Sequence, residues 1–202
     1  MSKVYLRALE PEDFVLINIW RNSRELQALT CGHFRYVSKL IEKKWVESKA
    51  ASNEKDVYLA ICSTEPPHHM IGYASLNDVN HLDRKAHWGG IVIDPDYHHD
   101  FDYLLDSVLL ILQHAFDDLN LNRLTGSCLS EHKASRRMME MACFIYEGEE
   151  RQSIYKNATY HNVLKYSILA SEYYENLSCG AYEKAEMLKR LVNIKKNKIV
   201  KQ

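Results

Sequence analysis

The sequence predicts an α/β (α+β) protein, built on a mixed, mostly antiparallel, twisted sheet of about six to seven strands with helices on both faces. Three observations lead there. Short runs with strand character dominate the front of the chain, one strand–loop–helix–strand passage lies in the middle, and a hairpin closes the core. With 46% hydrophobic residues, the 202-residue chain can bury one sizeable core over residues 1–170, leaving 171–202 as a helical extension.

Val4 to Leu9 reads as the first strand. Pro11 opens a helix, with Glu12 and Asp13 in its first turn and Phe14, Ile17 and Trp20 on one face. Ser38 is the N-cap of a second helix whose buried face reads Ile41, Trp45 and Ser48. Val57 to Cys62 is a short apolar strand, Glu65-Pro66-Pro67-His68-His69 a turn, and Met70 to Val79 the hairpin partner. Ala86 to Ile93 is a further strand. The next helix, Tyr103 to Leu119, carries Leu105, Val108, Leu112, Ala115 and Leu119 as its core stripe. Arg123 to Leu129 is a strand, Lys133 to Met141 a short helix, and Phe144 to Ser153 a strand. A Lys156-Asn157-Ala158 turn leads to the last strand, Val163 to Ile168. From Ser171 the tail is helical and ends in Lys195-Lys196-Asn197-Lys198, with Lys201 beyond. Its ordinary reading is a solvated helix; the alternative is a dimer or partner arm.

A net charge of -1 gives no pull toward nucleic acid or an anionic membrane. No apolar run approaches membrane-spanning length, and no signal-peptide core precedes the first strand. Cys31, Cys62, Cys128, Cys143 and Cys179 are odd in number and form no CxxC, which implies reduced thiols and a cytoplasmic setting.

The most informative stretch runs from Ile91 to Leu119. A buried strand, Ile91-Val92-Ile93, passes through Asp94-Pro95 and a short loop into a helix N-terminus, where unpaired N–H groups and the helix dipole favour an anion. Loops that wrap phosphate usually carry glycine for close backbone approach. None stands between Gly90 and Gly126, and Asp94, Asp96, Asp100 and Asp102 fill the passage instead.

Several segments resemble the GNAT acetyltransferase superfamily, in its ribosomal-protein and spermidine acetyltransferase branch. They are Tyr5 to Asp13, Ile71-Gly72-Tyr73-Ala74-Ser75-Leu76, Arg84 to Asp94, Leu119 to Leu124 and Glu147 to Gln152, so the likeness is spread over residues 3 to 174. The resemblance implies the GNAT fold, a splayed sheet that holds acetyl-CoA between two central strands, and acyl transfer to a primary amine of a small molecule or peptide. It implies Ile91, Val92, Ile93, His98, His99, Asp100, Phe101, Asp102, Tyr103 and His132 as the cofactor-contacting positions. The family's glycine positions fall on Phe101 and Tyr103, with His99 before them, so side chains crowd the phosphate loop. Asp100 or Asp102 is placed to cap the helix and take the dipole for itself. On the following helix, the family's Asn, Tyr and Gly positions hold His132, Met139 and Cys143; Met139 has no proton to give a leaving thiolate.

His87 stands where relatives often carry a Glu that takes the amine's proton, and an imidazole can do the same. A strand histidine against solvent or a polar neighbour is the plain alternative. His98, His99, Asp100 and Asp102 are the densest set of metal-ligand types, yet nothing nearby closes a site, and no metal is expected. Cys128 and Cys143 read as buried structural thiols. Arg21, Asn22 and Arg24 either line an acceptor pocket or match a helix C-terminus. Two functions stay open: an acyl-CoA-dependent N-acyltransferase, or a GNAT-fold binding module whose cofactor site has decayed, with homodimerisation through the C-terminal helix a further expectation.

Overall fold

The computed structural model describes residues 2–199, with side chains described through 191. Its strands are β1 (Val4–Ala8), β2 (Val57–Ser63), β3 (Met70–Asn80), β4 (Lys85–Ile93), β5 (Arg123–Leu129), β6 (Ile145–Lys156) and β7 (Thr159–Leu169). The helices are α1 (Phe14–Asn22), α2 (Arg24–Ala28), α3 (Lys39–Ala50), α4 (Phe101–Gln113), α5 (Lys133–Met141), α6 (Ala170–Ser178) and α7 (Lys184–Ile199). The strands form one seven-stranded sheet in the order β1-β2-β3-β4-β5-β7-β6. Every neighbouring pair is antiparallel except β4 and β5, joined by the α4 crossover.

Two cores flank the sheet. On one face Ile17 and Trp20 of α1 and Val46 of α3 pack on Ala60, Cys62 and Met70. On the other, α4 and α5 bury Leu105, Val108, Ile111, Met138, Met139 and Met141 against Ile61, Ile71, Leu76 and Trp88. Burying large apolar side chains at about 25 cal/mol per Å² is what holds helices and sheet together.

Four expectations are revised. α3 turns Glu42 and Val46 inward and leaves Ile41 exposed, because Arg21 of α1 reaches across to pair with Glu42 at 3.1 Å. α2 is an additional short helix, capped by Ser23. α4 begins at Phe101 and ends at Gln113, followed by a wider π-type turn over His114–Asp118. The tail is docked over its first part: Tyr173, Tyr182 and Met187 are buried in the α4–α5 core, and Tyr173 stacks on Phe116. The lysine-rich run from Lys195 to Lys198 lies beyond the described side chains, and Lys201 outside the described residues.

Candidate active site

β4 and β5 pair only from Lys85↔Arg123 to Trp88↔Gly126. Beyond that point each strand keeps its outer partner, β3 for β4 and β7 for β5, so the sheet splits into a wedge. A β-bulge starts the split: Leu76 faces Trp88 and Ser75 faces Gly90, leaving Gly89 without a register partner. Gly90 sits at φ +110, which a residue with a Cβ rarely adopts, and a side chain on Gly89 would collide with Ser75 Oγ and the Asn77 carboxamide.

The wedge exposes backbone polar groups. Asp94 N–H donates to Ile71 O across the β3 ladder, so the alternate residues Ile91 and Ile93 turn their amides toward β5, where no strand pairs with them. Val92 points to the opposite sheet face and packs with the α1–α3 core. One edge group is already engaged: His98 Nε2 lies 2.8 Å from Ile93 O, as donor when that nitrogen carries the proton.

The loop after β4 is tied down by its own side chains. Asp94 caps the turn through the Asp96 amide at 3.0 Å and accepts from Trp20 Nε1 at 2.8 Å. Asp100 is the N-cap of α4, accepting from the Asp102 amide at 2.9 Å. Its other oxygen takes Lys3 Nζ at 2.5 Å, and this ammonium holds the Asp100 carboxyl below its ordinary pKa. Lys184 of α7 lies 3.2 Å from Asp102 and 2.9 Å from the buried Asp106. Phe101 is half exposed, while Tyr103 turns into the core and donates to Glu65 at 3.2 Å. Tyr103 therefore does not crowd the helix start. His99 is exposed.

Across the bulge, His87 faces the side opposite Trp88. Its Nδ1 lies 3.1 Å from Thr125 Oγ1 and its Nε2 3.4 Å from Ser127 Oγ. Burial lowers the imidazole pKa, and the Lys165 ammonium adds to that, so His87 is neutral at physiological pH. A neutral ring bridging two hydroxyls at the wedge base can accept a proton there.

The chain matches the acetyltransferase (GNAT) domain over residues 3–144. It belongs to the GNAT acetyltransferase family. Among curated proteins it is 26% identical, over 107 residues, to YdaF of Bacillus subtilis, assigned as a ribosomal N-acetyltransferase. That match covers 52% of this chain and spans little more than half, 56%, of the relative's length. Among solved structures it superposes on a Vibrio cholerae spermidine N-acetyltransferase in complex with CoA and spermine with a TM-score of 0.76. Identity there is 22%, with 85% of this chain and 98% of the other covered. A dodecameric form of the Vibrio cholerae enzyme gives a TM-score of 0.70 at 20% identity, covering 85% and 96%. At these identities the structures establish the fold.

His132, Met139 and Cys143 lie along α5 and just beyond its C-terminal end. His132 is the N-cap residue of α5, with Nδ1 2.9 Å from Ser135 Oγ, and burial lowers its pKa. Met139 is buried, and its thioether fills the space over Gly126. Tyr166 is buried too, its phenol pushed up to about 12 by burial, while Tyr146 stands exposed on the sheet edge. Burial also pushes the Cys128 thiol up to about 11 and raises Cys143, so both stay protonated and packed. Arg21, Asn22 and Arg24 are each engaged with neighbouring groups of the chain. Arg21 stacks on Trp45 at 3.6 Å, Asn22 holds Val37 through both its amide and its carbonyl, and Arg24 lies over Phe34.

One residue escaped the sequence reading. Lys156 is buried at the end of β6 and donates to Gln27 O and Thr30 O at 2.8 and 2.9 Å, pinning the segment after α2. A lysine in a hairpin turn carries no sequence signal of that role. Among the described residues, no helix is long and apolar enough to cross a membrane.

Proposed function

We propose that the chain transfers an acetyl or similar acyl group from acyl-CoA to a primary amine, with a weakened grip on the cofactor's diphosphate. The wedge carries this reading: two open amides on β4 stand beside a neutral, hydroxyl-bridged imidazole on the same strand. Ile91 and Ile93 would hold the cofactor's amide-bearing arm, with the first turn of α4, His98, His99 and His132 around it. The bound donor supplies an activated thioester carbonyl. Of the two open amides, Ile91 N–H lies nearer the bulge and would polarise that carbonyl, and His87 would take the proton released as the amine nitrogen attacks, relayed through intervening water. Asp100 already occupies the Asp102 amide, which a phosphate would need, and that is the source of the weakened grip.

A second reading is favoured by two particular observations, the Asp100 cap and the proton-less Met139: a GNAT-fold binding module without turnover. The relatives' names narrow the acceptor to amines such as spermidine or a protein N-terminus, and we place the protein in the cytoplasm. Met187, Leu188 and Leu191, on the described part of α7, pack within the chain. The exposed β6 edge, with Ile145, Tyr146 and Tyr155, is a second surface open to self-association.

Calorimetric titration with acetyl-CoA, followed by assay of CoA release with spermidine, small primary amines and N-terminal peptides, tests the proposal. Binding with turnover supports transfer. Binding without turnover selects the module, and no binding at millimolar acetyl-CoA refutes both the arm-binding wedge and the transfer reading.

A further inference from the structure

Two hydroxyls on β5 decide which nitrogen of the His87 ring carries its proton. His87 stands opposite Thr125 in the parallel β4–β5 register. Its Nδ1 lies 3.1 Å from Thr125 Oγ1, and that hydroxyl also donates to Ala86 O at 3.2 Å. On the other side of the ring, Nε2 lies 3.4 Å from Ser127 Oγ. Among the described residues, these two hydroxyls are the ring's hydrogen-bond neighbours.

A hydroxyl has one proton to give. With a lone pair on Nδ1, that nitrogen and Ala86 O would both need the single Thr125 proton, and one contact would go unmade. With the proton on Nδ1, Thr125 accepts from the ring and donates to Ala86 O, and both contacts are made. Nε2 then holds the lone pair, and the Ser127 hydroxyl donates to it.

The register supplies the direction. Pairing of β4 with β5 ends at Trp88↔Gly126, so Ser127 is the first β5 residue past the split. It shares a sheet face with Thr125 two residues earlier. Nδ1 therefore faces the closed part of the sheet, and Nε2 faces the mouth of the wedge. Burial and the ammonium of Lys165, opposite Ser127 on β7, resist a second proton on the ring, while Asp78 of β3 favours one. Those groups set how readily the ring charges; the hydroxyls set where its first proton sits.

We propose that Thr125 is a positioning residue: it locks His87 in the Nδ1–H tautomer and aims the Nε2 lone pair into the wedge, making Nε2 the nitrogen that takes the amine's proton. That last step rests on the acyl-transfer reading; the tautomer lock does not. In the step, the amine's lone pair forms the new N–C bond and the C–S pair leaves with the CoA thiolate. The surplus N–H proton passes through water to Nε2. Nδ1–H stays on Thr125 throughout, so the ring charges without turning.

The test is a two-bond ¹H–¹⁵N correlation spectrum of the uniformly labelled full chain at neutral pH, which separates the protonated from the unprotonated nitrogen of an imidazole. His87→Gln assigns the signals, and each variant is checked for an unchanged melting profile. Wild type should carry its proton on Nδ1. Thr125→Val and Thr125→Ala each remove the hydroxyl and should give a tautomer mixture or Nε2–H, whereas Thr125→Ser should restore Nδ1–H and Ser127→Ala should leave it in place. In a CoA-release assay with a primary amine, Thr125→Val should lower kcat about ten- to a hundredfold with KM for acetyl-CoA unchanged, and Thr125→Ser should keep most of the rate. A wild-type ring protonated on Nε2, or an Nδ1–H tautomer that survives loss of the Thr125 hydroxyl, overturns the proposal while the transfer reading stands. A Thr125-dependent tautomer with unchanged kcat overturns Nε2 as the proton-taking nitrogen. If that tautomer is found and wild type acylates no amine, the transfer reading falls and the lock stands.

Discussion

Replacing Asp100 with asparagine should tighten CoA binding. Asp100 accepts the Asp102 amide at 2.9 Å. A phosphate oxygen taking that amide would lie within about 6 Å of the carboxylate charge, a cost of about 2–3 kcal/mol at an effective dielectric near 20. That corresponds to about a hundredfold in Kd. Lys3, 2.5 Å from the carboxylate, offsets part of it, and salt screens more. Asparagine caps helices about as well as aspartate, so Asp100→Asn removes charge without uncapping α4, and it frees Lys3 to face the ligand. The expected result is CoA binding about ten- to thirtyfold tighter at low salt, with a smaller gain at high salt. The melting temperature should shift by no more than a few degrees. Isothermal calorimetry at two ionic strengths measures both quantities. An unchanged or looser Kd would show that the carboxylate does not limit the cofactor, and the charge argument would be wrong.

His87→Gln should lower kcat/KM for the amine by about 10²–10⁴ and remove the acid limb of the pH profile, which a rate–pH series records. In wild type that limb lies below the ordinary histidine value of about 6.5, because burial lowers the folded pKa. The same shift makes stability complete above pH ~6.5 and lost progressively as pH falls from there toward the folded pKa; chemical denaturation of wild type and His87→Gln at pH 7 and 5 should show the loss reduced in the variant. Lys184→Met leaves the buried Asp106 with only the Lys3 amide, at 2.7 Å. It should cost about 1–2 kcal/mol, a few degrees in melting temperature, and an unshifted melt would count against α7 as a brace. Lys156→Met should raise KM for the amine while leaving CoA affinity unchanged, since it unpins Gln27 and Thr30 rather than the wedge; equal effects on both substrates would refute that separation.

The elements that sequence revealed are those whose signal is local. β5 and α5 fall at the predicted residues because apolar periodicity and flanking polar turns bound them on both sides. A cap from Asp100 or Asp102 was legible for the same reason, a short acidic side chain before an apolar helical stripe, and the fold selects Asp100. Apart from the short helix α2 and the bounds of α4, the misses are long-range. Ile41 looked like the inward residue of α3 because it is apolar, but Arg21 made Glu42 the inward one. The tail looked solvated because it ends in lysines, yet Tyr173, Tyr182 and Met187 had a core to enter, formed by helices far earlier in the chain.

Those long-range contacts also change the electrostatics of the loop. Read as sequence, Asp94, Asp96, Asp100 and Asp102 are four uncompensated charges facing a diphosphate. Folded, Asp94 is committed to the Trp20 indole and its own turn, Asp100 to Lys3 and Asp102 to Lys184. Lysines from opposite ends of the chain neutralise the two nearest the helix, so repulsion summed over four carboxylates overstates the penalty. What remains is competition: Asp100 and a phosphate ask for the same Asp102 N–H. Competition for one donor weakens binding by a bounded amount, whereas unscreened repulsion would abolish it. The wedge amides of Ile91 and Ile93 are untouched by that competition. On the proposed reading, such a site would give up grip at one end of its cofactor while keeping the groups for carbonyl polarisation and proton acceptance in place.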